Sequence, residues 1–180
     1  MLHRAVRQDD ATTLRIVLNN MHADPSTNDD DAIRTAATRG NAAIVRALLA
    51  DARVEPGAQY NAAIKVAASL GHARVFQLLL HDTRVDPSQD FQTLLRLAGT
   101  KGHSHIVDML LQDPRFDPSA DNNIAIRSAV CRGAELLVNR LLCDSRVDPQ
   151  AALPAAAKGG HVDVVQIGRA HRLNSSHLVI

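Results

Sequence analysis

The chain has 180 residues, 46% of them hydrophobic but only 2% aromatic, no tryptophan, and a formal net charge of +1. A balance so close to zero excludes a general electrostatic pull toward nucleic acid or an anionic membrane, and no run approaches the roughly 20 apolar residues that span a bilayer. Met1-Leu2-His3-Arg4-Ala5 lacks the apolar run of a signal peptide, and Cys131 and Cys143 are too few for a disulfide framework; an intracellular, cytoplasmic protein is the expectation.

In chain order, the first unit is the least regular. Ala5-Val6 opens it, Asp9 stands where later units carry glycine, Val17-Leu18 follow, and Asp24-Pro25-Ser26 closes it. From there a beat of 31 residues is plain. Proline recurs at Pro25, Pro56, Pro87, Pro118 and Pro149, and glycine at Gly40, Gly71, Gly102 and Gly133. Leucine pairs keep the same step at Leu48-Leu49, Leu79-Leu80, Leu110-Leu111 and Leu141-Leu142. Self-similarity at such a period signals a stacked-repeat solenoid, whose core lies between neighbouring units. Thin layers favour Ala, Leu, Val and Ile over rings, which accounts for the scarcity of aromatics.

The unit from Asn61 to Phe91 shows the grammar. Asn61 is placed to cap a short helix whose apolar positions are Ile64, Ala67 and Ala68. Gly71 ends it, because glycine accepts the left-handed conformation of a tight helix-to-helix turn. A second helix opens at His72 and carries Val75, Phe76, Leu79 and Leu80 on one face. Asp82 to Ser88 supplies turn formers without a helical period. The other first helices carry Ile33, Leu95 and Ile126, then Ala36-Ala37, Leu97-Ala98 and Ser128-Ala129; the other second helices carry Ile44-Val45, Ile106-Val107 and Leu137-Val138. Loops read Arg-Val-Glu-Pro, Arg-Val-Asp-Pro, Arg-Phe-Asp-Pro and Arg-Val-Asp-Pro. After Pro149, Gly160 arrives four residues early, so the last loop has lost most of its tip and Pro154 falls in a first helical turn, where a missing N–H costs little.

Ala67-Ala68-Ser69-Leu70-Gly71-His72 and Gly102-His103-Ser104-His105-Ile106-Val107 carry a resemblance to ankyrin repeats that covers about residues 1–166. The period is about two residues shorter than that family's usual 33, and Asp-Pro-Ser replaces a glycine-led hairpin. The resemblance implies an all-α repeat solenoid of stacked helix-turn-helix units with extended loops, with about four full units and a partial unit at each end. Residues 167–180 fit no part of the repeat; Ile167 to His171 and Leu173 to His177 resemble a translated sequencing adapter and are read as a scar outside the array. Both ends suggest a fragment of a longer array.

Nine histidines invite a metal or catalytic reading. His72, His103 and His161 follow the repeat glycine, however, where the ankyrin resemblance implies a turn-shaping histidine. His103 and His105 are two apart and diverge on a helix, and no Cys/His set has zinc spacing. Cys131 and Cys143 lack a nearby base and are read as packed small residues. No cofactor, metal, catalytic residue or small-molecule substrate is expected. The basic ladder Arg34, Lys65, Arg96 and Arg127 is expected to bond with loop acids such as Glu55, Asp86, Asp117 and Asp148. A second row, Arg39, Leu70, Lys101 and Arg132, ends the first helices, which by the resemblance line a concave face. Loop tips vary while their flanks hold: Ser26-Thr27, Gly57-Ala58, Ser88-Gln89 and Ser119-Ala120. These two sets form the expected partner-binding surface. The function expected is a scaffold that binds another protein through the concave face and loop tips. The alternatives are the recognition arm of a larger enzyme or adaptor, and polyanion or nucleic-acid binding along the basic ladder, which the net charge disfavours; no membrane partner is expected.

Overall fold

A computed structural model describes residues 2–19 and 24–159, the side chains of residues 3, 27–30, 89, 158 and 159 excepted. The expected end of the array at 166, the early glycine at Gly160 and the tail 167–180 lie outside the described residues. Contacts divide the chain into two units, residues 1–90 and 91–180.

The first unit holds three helix-turn-helix pairs: α1 (Leu2–Arg7) with α2 (Ala11–Asn19), α3 (Thr27–Arg39) with α4 (Ala42–Leu49), and α5 (Ala58–Leu70) with α6 (Ala73–His81), followed by a 3-10 turn at Ser88–Asp90. First helices stack as α1, α3, α5 and second helices as α2, α4, α6. The second unit holds α7 (Phe91–Thr100) with α8 (Ser104–Gln112), α9 (Ala120–Cys131) with α10 (Glu135–Leu142), a 3-10 turn at Pro149–Ala151, and α11 (Ala152–Gly159). Here α9 packs between α7 and α11, and α10 packs on α8. Every regular element among the described residues is helical, so the fold is an all-α repeat solenoid.

Periodicity explains the core. Ile33, Ile64, Leu95 and Ile126 are buried, as are Leu48, Leu79, Leu110 and Leu141 on the second helices. Full burial of each such side chain contributes about 1.5–3 kcal/mol. Val54 and Val85 in one unit, and Phe116 and Val147 in the other, carry the buried surface into the loops. The small pair at the end of the first helices holds the 31-residue step strictly. After Ala36-Ala37 and Ala67-Ala68, the buried residues are Ala98-Gly99 and Ala129-Val130. These lie one residue beyond the expected Leu97-Ala98 and Ser128-Ala129, and Leu97 and Ser128 are only half-buried. Gly99 fits because a Cβ there would lie 2.7 Å from Leu137 Cδ2.

The turn glycines behave as expected. Gly40, Gly71, Gly102 and Gly133 have φ of 73°, 77°, 79° and 64°, and Asp9 adopts the same left-handed conformation at φ 57°. Gly40 has a second reason to lack a side chain: a Cβ there would lie 2.6 Å from the His72 ring. His72 in turn bonds Thr38 O at 3.1 Å, so the histidine ties one turn to the previous one.

Asn61 does not cap as expected. Gln59, Tyr60 and Asn61 form a left-handed turn with φ of 51°, 56° and 60°, and Asp121, Asn122 and Asn123 repeat it at 51°, 57° and 56°. Within this turn the Asn61 amide reaches forward, donating to Asp86 O at 2.8 Å and Asp90 Oδ2 at 2.9 Å. Left-handed non-glycine residues cost on the order of 1 kcal/mol each. The turn also decides what its middle residue does. Phe91 holds the register position of Tyr60 one repeat later, but it enters a regular helix and stacks on Phe116 at 4.8 Å. Tyr60 is turned outward and is 89% exposed.

Candidate interaction surface

The row that ends the first helices lies on the protein surface. Arg39, Leu70, Lys101 and Arg132 are all exposed, Leu70 to 44%. Arg39 grips Asp9 with both ends of its fork, Nε to Oδ1 at 3.1 Å and Nη2 to Oδ2 at 3.0 Å. Those bonds hold the Asp9 carboxyl below its ordinary range. Arg132 donates to Ser128 O at 3.2 Å, within its own helix turn. Each of these four residues follows the buried small pair, so the scaffold around it is packed while its own side chain faces water.

The loop tips sit at the starts of first helices and 3-10 turns rather than on hairpin fingers. Ser26 and Ser119 turn inward: the N–H and hydroxyl of each donate to Oδ1 of Asp24 and Asp117, respectively, which lowers both carboxyl pKa values. The exposed Ser88 has its N–H on Asp86 Oδ1. Gly57, Ala58 and Ala120 are half-buried, and a Cβ on Gly57 would meet Arg84 O at 3.0 Å. The side chains of Thr27 and Gln89 lie outside the described residues. Three residues beyond Gly57, Tyr60 is a large side chain exposed to solvent. Sequence reasoning missed it, although a lone tyrosine in so ring-poor a chain was a signal.

The first basic ladder is partly neutralised. Arg34 pairs with Asp31 on its own helix. Lys65 pairs with Asp90 at 2.7 Å and donates to Tyr60 O at 2.6 Å. Among the described residues Arg96 and Arg127 make no ion pair. The acids named from sequence have other roles: Asp86, Asp117 and Asp148 cap the turn that follows them.

Another arginine row does the joining, and sequence reasoning gave it no role. Arg53, Arg84, Arg115 and Arg146 follow Asp51, Asp82, Asp113 and Asp144 by two residues, 31 apart each time. Each aspartate accepts the arginine's backbone N–H at 3.0 Å and its Nε at 2.9 or 3.0 Å. For Arg53, Arg84 and Arg146 this presents the guanidinium to the preceding repeat of the same unit. Arg84 donates to Leu49 O at 2.7 Å and to Asp51 O and Val54 O; Arg146 donates to Leu111 O at 2.7 Å and to Phe116 O; Arg53 reaches Leu18 O at 3.0 Å. The Leu18, Leu49 and Leu111 carbonyls lie in the last turns of second helices, where backbone acceptors lack intrahelical partners, and those of Val54 and Phe116 lie in the loops that follow. The clamp lowers the carboxyl pKa of Asp51, Asp82 and Asp144, first through the arginine hydrogen bond. The constant Asp-x-Arg spacing was the available signal.

In the second unit a groove of about 140 Å³ opens between α7 and α9. Buried Leu95, Ala125, Ala129 and Leu137 line its floor, while Thr93, Arg96 and Thr100 of α7 face Ser128 and Arg132 at the end of α9. Among the described residues no three His, Cys, Asp or Glu side chains cluster to hold a metal, and no helix is long and apolar enough to cross a membrane. Both thiols are exposed, which corrects the expectation that they pack. Each ends its helix on the solvent side.

Paired helices, left-handed turns and stacked first and second layers define a helical repeat protein. Residues 2–90 match the family model of ankyrin repeats in three copies, and this part of the chain belongs to that family. No curated protein matches it.

Proposed function

We propose that the chain recognises another protein along the exposed ends of its first helices and the tips that precede them. Ankyrin repeats are generally protein–protein interaction modules. The observation that carries the reading is the row Arg39, Leu70, Lys101 and Arg132, where unlike exposed side chains occupy one register position on a packed scaffold. Tyr60 adds a large aromatic beside that scaffold, of the kind that dominates binding energy at interfaces. The reading assigns the chain no catalytic step, cofactor or small-molecule substrate.

The test is to select binders from a displayed peptide library on the full chain and measure their affinity for variants. Leu70→Glu, Tyr60→Ala and Arg132→Glu are expected to weaken the selected binders, the strongest by more than about tenfold. Gln112→Ala and Ser145→Ala, both exposed away from these positions, are expected to leave them unchanged. Binders indifferent to all three surface substitutions would remove the proposal.

A further inference from the structure

We infer that the groove between α7 and α9 accepts a carboxylate side chain of the partner, held between Arg96 and Arg132. The inference rests on the protein-recognition reading and names the chemistry that one part of that surface selects.

Size limits the occupant first. A groove of about 140 Å³ is well below the roughly 300–1,000 Å³ of sites for drug-sized ligands. It suits one short side chain. Charge limits it next. Two arginines, Arg96 and Arg132, are among the residues lining the groove and no acidic residue is. Several other cations have their acids: Arg39 has Asp9, Lys65 has Asp90 and Arg140 has Asp108. Among the described residues neither Arg96 nor Arg132 makes an ion pair. Thr93 and Ser128 add hydroxyl groups around the same space, while the Thr100 hydroxyl is donated to Arg96 O at 2.7 Å. An ionised carboxylate offers only acceptors and takes an arginine fork in bidentate fashion. The floor of Leu95 and Leu137 suits the methylene stem of Asp or Glu. A nucleic-acid backbone would need a longer run of unpaired cations, and Arg34 and Lys65 are already matched.

The test is a two-dimensional NMR titration of the full chain with acetyl-Ala-Glu-Ala-amide, its Gln counterpart and inorganic phosphate, at millimolar concentration and low salt. The Glu peptide is expected to give saturable shifts at amides of α7 and the end of α9 that fade as salt is added. The Gln peptide is expected to give none there. The double variant Arg96→Gln with Arg132→Gln, both at exposed positions, is expected to weaken the response about tenfold. Equal shifts from the Gln peptide, no saturable shift at these amides, or an unaltered response in the double variant would each overturn the inference. Tighter binding of phosphate than of the Glu peptide would overturn it in favour of a polyanion. A silent groove in a chain whose selected binders still depend on Leu70 removes the carboxylate assignment alone; binders indifferent to the whole surface remove the recognition reading itself.

Discussion

Arg84 shows how much one side chain can join. It donates to three carbonyls of the preceding repeat while its own aspartate fixes its direction. Arg84→Ala is expected to lower stability by about 1–3 kcal/mol, read as a lower urea midpoint at an unchanged slope. The clamp also sets an acid dependence. Asp51, Asp82 and Asp144 have carboxyl pKa values below their ordinary range in the folded protein. The unfolded value is about 3.9, so the contribution is fully present above that pH and is lost as pH falls through the lower folded values. Urea midpoints measured from neutral pH downward should therefore fall more steeply below about pH 4 in the wild type than in Asp82→Asn.

At the scale of the element, the helix-turn-helix hairpin was legible because its requirements are local. A glycine every 31 residues predicts a left-handed turn, and all four glycines have positive φ. Two of them separate backbone from packing. Gly102→Ala meets nothing within 4 Å and bears only the left-handed penalty of about 1–2 kcal/mol. Gly40→Ala bears that penalty and also collides with the His72 ring at 2.6 Å, so its loss should be the larger. Adding His72→Ala should restore part of the Gly40→Ala loss and none of the Gly102→Ala loss, as measured by urea denaturation. The left-handed turns at Gln59–Asn61 and Asp121–Asn123 were not legible. Their residues read as helix caps, and only the neighbouring loop, through the Asn61 bonds to Asp86 and Asp90, reveals the alternative. The exposed thiols were missed for a similar reason: period places Cys131 and Cys143 at helix ends but does not say which side of the end they occupy.

For the whole molecule, the layered arrangement makes stability a matter of neighbours. Phe76 is fully buried in α6, and Phe76→Ala is expected to cost about 3–5 kcal/mol. Hydrogen exchange should then show the largest loss of protection in α4, α5 and α6, with smaller changes in α9 to α11; an equal loss everywhere would mean that the chain unfolds as one cooperative body. The fold was read from sequence because every unit repeats it. The candidate surface was legible in outline only, since the row Arg39, Leu70, Lys101 and Arg132 follows from period. Which cations already have acids depends on contacts such as Arg39 with Asp9, 30 residues apart. Neither partner of such a pair announces the other.

The arginine clamp carries a consequence for inheritance. Arg53 reaches Leu18 O, Arg84 reaches Leu49 O and Arg146 reaches Leu111 O, in each case 35 residues back. Within each unit the joint between repeats is thus written in the same letters. Excising residues 53–83 would place Arg84 two residues after Asp51, in the seat that Arg53 now holds against Leu18. A gene of this kind can gain or lose whole units by unequal crossing-over and still close the seam, whereas a slip of one residue would leave each clamp facing the wrong carbonyl.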